Sequence, residues 1–153
     1  MDRSGDIRRH GKKLLAELAE AHGPPGFERE VRDRVSGLLG GDGDVDRFGN
    51  LIIDDDGGPE RPRILLTAHM DEIGFMVHSV RPDGLLRFVP LGGWWGHTLL
   101  SQRVRIRTRA GGDVLGIIGS KPPHLLSKEE RTRVLDTDDM LIDIGAEDAA
   151  DVA

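Results

Sequence analysis

The chain has 153 residues, the usual size of one domain, and it is long enough to bury a hydrophobic core. Its 27 acidic and 21 basic residues give a formal net charge of -6, so no overall positive field would attract nucleic acid or anionic lipid. There is no cysteine, which excludes disulfides and thiolate sites and leaves His, Asp and Glu as the strong metal ligands.

The N-terminal residues, from Met1 to Lys13, are charged and lack the apolar core of a secretion signal. No run in the sequence approaches the roughly 18 apolar residues of a membrane span. We therefore expect a cytoplasmic protein with no membrane partner and no nucleic-acid partner.

Two helices are predicted at the start of the chain. The first spans 7–22, where apolar residues recur at helical spacing on one stripe. Gly23-Pro24-Pro25-Gly26 ends it, because proline removes an amide donor and disfavours helix in the residue before it. A second helix is predicted over 27–39. The stripe of the first helix consists of Ile7, Leu14, Leu15, Leu18 and Ala21.

A hairpin and a buried strand are predicted next. Short strands around 45–48 and 51–53 are joined at Gly49-Asn50, a dipeptide that tolerates the positive φ of a tight turn. The nearly continuous apolar run Ile64–Ala68 predicts a strand covered on both faces, as in a sheet sandwiched by helices. His69 would then stand at the C-terminal end of that strand.

Beyond Gly74 the pattern changes to short β segments separated by turn residues, which favours a small barrel or sandwich. Strict alternation in Arg103–Thr108 predicts one buried and one solvated face. A helix over Ser127–Val134, with Ser127 and Glu130 as its capping box, is the one predicted interruption. A domain boundary is expected near residues 72 to 75. The predicted strands are 75–80, 85–90, 103–108, 114–119 and 140–145.

His69 and Asp71 are the first candidates for chemistry. Residues i and i+2 of an extended chain point the same way, so these two side chains can share a face. A metal-bound imidazole usually donates its other N–H to a carboxylate, and Asp71 could serve as that carboxylate or as a direct ligand. The carboxyl end of a strand is also where ligands collect in open α/β sheets. The alternative is a histidine and an aspartate paired for structure alone.

The other polar candidates carry weaker signals. Glu72 and the Asp54-Asp55-Asp56 cluster are either metal ligands or solvated acids. His124, in Lys121-Pro122-Pro123-His124, either lines a site or belongs to a structural loop. Trp94-Trp95, followed by His97, is expected to pack in the core or against another subunit. The remaining histidines, expected at the surface or in packing, are His10, His22 and His78.

Ordered motifs run along almost the whole chain. They are Gly26-Phe27-Glu28 with Glu30-Val31, Asp46-Arg47-Phe48-Gly49-Asn50-Leu51, Ala68-His69-Met70-Asp71-Glu72-Ile73-Gly74, Leu91-Gly92-Gly93, Gln102-Arg103-Val104, Gly116-Ile117-Ile118-Gly119, Lys121-Pro122-Pro123-His124-Leu125-Leu126 and Met140-Leu141-Ile142-Asp143-Ile144-Gly145-Ala146. Together these motifs resemble the dodecameric tetrahedral aminopeptidases, a family of glutamyl and deblocking aminopeptidases that are sometimes mislabelled as endoglucanases. One departure from the family pattern is Trp94-Trp95, which stands where a smaller or polar pair is expected.

The resemblance implies an α/β fold: a partial catalytic α/β sandwich over residues 1–74, followed by a small all-β, barrel-like oligomerisation domain over 75–153. It implies a centre of two divalent metal ions, zinc or cobalt, with His69 as a ligand of one metal and Asp71 as the catalytic carboxylate that orients it. The reaction would be removal of N-terminal residues from peptides, in a homo-oligomer that is a dodecamer in the family.

The remaining ligands of the family centre belong downstream of the β domain, so we expect this chain to be a fragment that is inactive by itself. A second hypothesis is a non-catalytic module for assembly or peptide binding, in which His69 and Asp71 are structural. A single-metal hydrolase of another kind would need three ligands, which the sequence does not bring together.

Overall fold

The computed structural model describes residues 3–41, 43–54, 62 and 64–152. The chain forms two compact units, Met1–Glu72 and Ile73–Ala153. The first contains two helices and a two-stranded hairpin, and the second contains a five-stranded sheet. This mixture of helix and sheet agrees with the predicted α/β class. No helix in the described ranges is long and apolar enough to cross a membrane.

Both predicted helices are present in the first unit. Helix α1 spans Arg3–Ala19 and helix α2 spans Arg29–Leu38, with the proline-containing turn between them. The Arg34 guanidinium donates to the carbonyl oxygen of Glu17 at 2.7 Å and so ties α2 to α1. Burial is uneven along the predicted apolar stripe, since Ile7 and Leu15 are each 71% exposed.

The predicted hairpin is also present, with shorter strands. Strand β1, Asp44–Val45, pairs antiparallel with strand β2, Leu51–Ile52. The Asp46 carboxylate accepts hydrogen bonds from the backbone amides of Phe48 and Asn50, each at 2.9 Å, and from the Asn50 side chain at 2.8 Å. These bonds, led by that of the Asn50 side chain, lower the pKa of Asp46 below its ordinary value of 3.8.

The predicted strand over Ile64–Ala68 is wrong. The segment has no regular secondary structure, and Ile64, Leu65 and Leu66 are 79%, 85% and 90% exposed. A strand exists only where a neighbouring strand takes up its amides and carbonyls. The described residues of this unit supply only the β1–β2 pair, which does not extend to this segment. His69 therefore follows a loop and not a strand.

The second unit is a five-stranded antiparallel sheet in the order β3-β4-β7-β6-β5. All five predicted β segments are confirmed as strands, with ends that differ by a few residues at most. This order places β3 and β5 at the two ends, and closure into a barrel stays a prediction. The strands are β3, Gly74–Val80; β4, Leu86–Leu91; β5, Arg103–Arg107; β6, Asp113–Ser120; and β7, Met140–Asp143.

A row of aliphatic side chains across three strands forms the centre of this unit. Leu86 pairs with Ile142, and Ile142 pairs with Ile118, so the three side chains share one face of the sheet. Each is only 1–2% exposed. Phe88, Leu99 and Met140 complete the buried cluster. Burial of this cluster is the main source of stability for the unit.

The alternation predicted for Arg103–Thr108 is confirmed, because the arginines of β5 are exposed while Val104 and Ile106 are half-buried.

The helix predicted over Ser127–Val134 is wrong: only a 3₁₀ turn forms, at Glu130–Thr132. Such a short segment cannot nucleate a helix without an apolar face to pack, and Val134 is 54% exposed. The residue that precedes this turn is Glu129, which makes no side-chain cap hydrogen bond, so the predicted helix start at Ser127 is also wrong.

Candidate metal site

The His69 imidazole is held against Asp71. Its Nδ1 atom lies 2.9 Å from the Asp71 carbonyl oxygen and 3.2 Å from the carboxylate oxygen Oδ1. Both oxygens are acceptors, so they favour the tautomer that carries its proton on Nδ1. In that tautomer the Nε2 lone pair is available to a metal ion. The His69 side chain is 85% exposed, which leaves that nitrogen accessible.

The segment that carries this pair is attached to the turn between the two helices. The Glu72 amide donates to the Gly23 carbonyl oxygen at 2.9 Å, and the Gly23 amide donates to the Glu72 carboxylate at 3.4 Å. The sequence predicted Gly23 only as a helix terminator, so this contact was missed. The signal available in the sequence was a glycine placed directly before two prolines, where a close backbone approach is possible.

An apolar cleft of about 640 Å³ lies beside the pair within the first unit. Aliphatic side chains from both helices and from β2 line it, together with His69, Asp71 and Glu72. The aliphatic lining includes Leu18, Val31, Val35 and Leu51. The imidazole and the carboxylate therefore border an apolar cleft while both side chains remain exposed to solvent.

Of the other predicted acids, the two that the structure describes, Asp54 and Glu72, form no metal-binding group with His69 and Asp71. Among the described residues no group of three or more His, Asp and Glu side chains is arranged to hold a metal ion. The Glu72 carboxylate is directed to the Gly23 amide. Asp54 is exposed, and Asp55 and Asp56 lie outside the described residues. A ligand role for Asp54-Asp55-Asp56 stays a prediction.

The remaining histidines occupy separate surroundings. His10 is exposed on α1, and His22 is half-buried just after it. His78 lies at the irregularity in β3 with its Nδ1 atom 3.3 Å from the Ser79 hydroxyl. His124 lies in the 3₁₀ turn Pro123–Leu125, and its predicted alternatives stay open.

The two adjacent tryptophans have different surroundings. The Trp94 ring stacks on Phe75 with centroids 4.6 Å apart, and its indole N–H donates to the Gly74 carbonyl oxygen at 2.9 Å. Core packing is therefore confirmed for Trp94. Trp95 is 67% exposed and meets the ring of His97 edge to face at 4.9 Å. A subunit contact through Trp95 stays a prediction.

Comparison with known proteins shows which family the chain resembles. Residues 49–153 match the M42 glutamyl aminopeptidase family. The chain is 38% identical over 141 residues to the glutamyl aminopeptidase of Lactococcus lactis, a match that covers 89% of this chain and 40% of that protein.

Solved structures of similar proteins agree with these sequence matches. A TET aminopeptidase from a marine sediment archaeon of the Thaumarchaeota superposes with a TM-score of 0.84 at 43% identity, over 95% of this chain and 41% of that one. The TET1 peptidase of Pyrococcus horikoshii, which can assemble into a tetrahedron or a large octahedral shell, gives 0.79 at 35% identity, over 91% of this chain and 42% of that one. The chain thus spans about 40% of the length of its relatives. On this evidence the chain belongs to the M42 glutamyl aminopeptidase family.

Proposed function

We propose that this chain supplies a metal ligand, His69, and its orienting carboxylate, Asp71, to a metal-dependent aminopeptidase that removes N-terminal residues from peptides. The observation that carries the proposal is the contact between His69 Nδ1 and the Asp71 oxygens in a member of this family. The His69 side chain is 85% exposed and borders the cleft, so the ring nitrogen that does not face Asp71 is available to a ligand.

The donor set fits part of a metal centre. A neutral imidazole is a good ligand for zinc or cobalt, and a carboxylate that holds its second nitrogen fixes the ring and raises its basicity. Two divalent ions, when bound, would polarise a peptide carbonyl and lower the pKa of a water molecule. His69 would hold one of these ions, and Asp71 would keep the imidazole proton on Nδ1.

The 153 residues alone are proposed to be inactive. A two-metal hydrolase needs a bridging carboxylate, further ligands for each ion and a general base. The described residues supply one histidine with its carboxylate and no larger ligand group. The family match and the share of its relatives' length that the chain covers support the rest of the centre lying in further sequence.

Peptides are the proposed substrates, and a cytoplasmic homo-oligomer, a dodecamer as in the family resemblance, is the proposed assembly. The assemblies formed by the similar TET1 peptidase support an oligomer. The second unit, with its five-stranded sheet, would be the barrel-like oligomerisation domain. Its exposed Trp95 is a candidate for a subunit contact.

Hydrolysis of amino-acid p-nitroanilides, in the presence of Zn²⁺ or Co²⁺, tests the proposal. The 153-residue chain and the product of the whole reading frame are assayed side by side, each with a His69→Ala variant. Activity is expected in the whole product, lost in His69→Ala and retained in His10→Ala, a matched exposed histidine of the same unit. Full activity in the 153 residues would contradict the fragment proposal. Unaffected activity in His69→Ala would contradict the ligand role.

A further inference from the structure

Gly23, in the turn between the two helices, forms a reciprocal contact with Glu72, the residue that follows Asp71. The Glu72 amide donates to the Gly23 carbonyl at 2.9 Å, a normal hydrogen bond. The return bond, from the Gly23 amide to the Glu72 carboxylate, is 3.4 Å long and correspondingly weaker. The backbone bond is therefore the main attachment, and the carboxylate adds to it.

The space around Gly23 does not admit a side chain. A Cβ atom built there would lie 2.5 Å from Cγ2 of Val31 and 3.4 Å from the carbonyl oxygen of Met70. Gly23 does not have a φ in the left-handed region, so its backbone conformation would suit any residue. The requirement for glycine is therefore steric and comes from Val31 of α2, while the Met70 carbonyl oxygen stands at an ordinary contact distance.

Val31 cannot move away easily. It is 9% exposed, it is the buried residue of α2, and its branched Cβ restricts it to few rotamers within a helix. A methyl group at position 23 would therefore push the turn away from α2, and the hydrogen bonds between Gly23 and Glu72 would transmit that shift to the segment that carries His69 and Asp71. Two glycines in the helices of this unit differ from Gly23, because Gly11 and Gly37 have nothing within 4 Å of a built Cβ.

We propose that Gly23 and Glu72 are positioning residues of the metal site. Gly23 lets the segment lie directly on the turn between the helices, and the Glu72 contacts fix it there, so that the Asp71 oxygens meet Nδ1 of His69. This inference rests on the proposed function for its metal readout. It also has a readout that needs no metal, because the His69–Asp71 contact sets the imidazole tautomer.

Nitrogen NMR of the histidine side chains in the full 153-residue chain tests this role at constant pH. In the wild type the His69 signals should report a predominant Nδ1–H tautomer. Gly23→Ala should shift them towards a mixture of tautomers, and addition of ZnCl₂ should show about tenfold weaker binding at His69. Gly37→Ala is the matched control and should leave both readouts unchanged, because its Cβ enters open space.

Relief of the clash provides a rescue. Val31→Ala removes the Cγ2 atom that a Cβ at position 23 would meet, so the Gly23→Ala/Val31→Ala double variant should return the His69 signals towards the wild-type pattern. Absence of any rescue, in variants that circular dichroism shows to be folded, would overturn the steric role of Gly23. Glu72→Ala removes only the weaker of the two hydrogen bonds. It should therefore shift the tautomer mixture in the same direction as Gly23→Ala, by a smaller amount.

The outcomes separate this inference from the proposed function. If the product of the whole reading frame binds zinc equally well with and without His69 but Gly23→Ala still alters the tautomers in the 153-residue chain, the ligand role fails and the positioning role stands. If zinc binds at His69 equally well in the wild type, Gly23→Ala and Glu72→Ala, the positioning role is overturned. If Gly23→Ala does not fold, Glu72→Ala decides the question, and unchanged His69 signals in that variant would overturn the proposal.

Discussion

The Nδ1 atom of His69 lies 3.2 Å from a carboxylate oxygen of Asp71, two residues along the chain. The Asp71 carbonyl oxygen lies closer still, at 2.9 Å. The backbone oxygen therefore orients the ring even without the carboxylate, while the carboxylate adds a negative charge that strengthens the imidazole as a ligand. The two contributions can be separated by substitution.

Asp71→Asn should keep the ring orientation and remove the charge. We expect zinc affinity at His69 to fall by about 10- to 100-fold, while the tautomer stays predominantly Nδ1–H because the backbone oxygen remains. Zinc addition monitored at the His69 side-chain nitrogens measures both quantities. Unchanged zinc affinity would show that the carboxylate contributes nothing beyond structure. Asp44→Asn, in the same unit, controls for a general change of net charge.

Gly116→Ala should destabilise the second unit by about 1–3 kcal/mol, because overpacking a core forces neighbouring side chains from their rotamers. A Cβ at Gly116 would lie 2.6 Å from Cγ2 of Ile142 and 3.1 Å from Cδ1 of Ile106. Gly119, on the same strand, has nothing within 4 Å of a built Cβ. Gly119→Ala should therefore be neutral or slightly stabilising. Urea unfolding followed by tryptophan fluorescence compares the two, and equal effects would contradict the packing described.

The same substitution at the two tryptophans should give different results. Trp94→Phe loses a hydrogen bond to the Gly74 carbonyl oxygen and part of a stacked contact, so we expect a cost of about 1–3 kcal/mol. Trp95→Phe should stay within about 0.5 kcal/mol, as for an exposed surface residue.

Acrylamide quenching provides an independent check on the tryptophan surroundings. The indole that remains in Trp95→Phe should be protected, and the one that remains in Trp94→Phe should be accessible. The reverse order would contradict the arrangement.

Low pH should destabilise the hairpin of the first unit. The pKa of Asp46 is lowered in the folded chain, chiefly by the Asn50 side-chain hydrogen bond. A lowered folded pKa means that the carboxylate stabilises the fold fully above its ordinary value of 3.8, and that this stabilisation is lost as pH falls through the lowered pKa. A chemical-shift titration of the Asp46 carboxyl measures that pKa. Asn50→Ala should raise it towards 3.8, and an unchanged midpoint would contradict the assigned cause.

Patterns carried by neighbouring residues were predictable from the sequence. Alternation in β5, the hairpin of the first unit and the proline stop after α1 are local, and each appears in the structure, although the loop of the hairpin spans residues 46–50 and is longer than the predicted Gly-Asn turn. The strand predicted at Ile64–Ala68 failed because an apolar run indicates that burial is favourable but does not supply a pairing partner. The His69–Asp71 contact was predictable because it spans two residues. The Gly23–Glu72 contact was not, because it joins positions that only tertiary folding brings together.

Metal content of the product of the whole reading frame, measured by mass spectrometry after loading with zinc and removal of excess, tests the central claim most directly. We predict about two zinc ions per chain in the wild type and in His10→Ala, and the loss of at least one ion in His69→Ala. Equal zinc content in the wild type and His69→Ala would contradict the account. It would favour the alternative in which His69 and Asp71 are paired for structure alone.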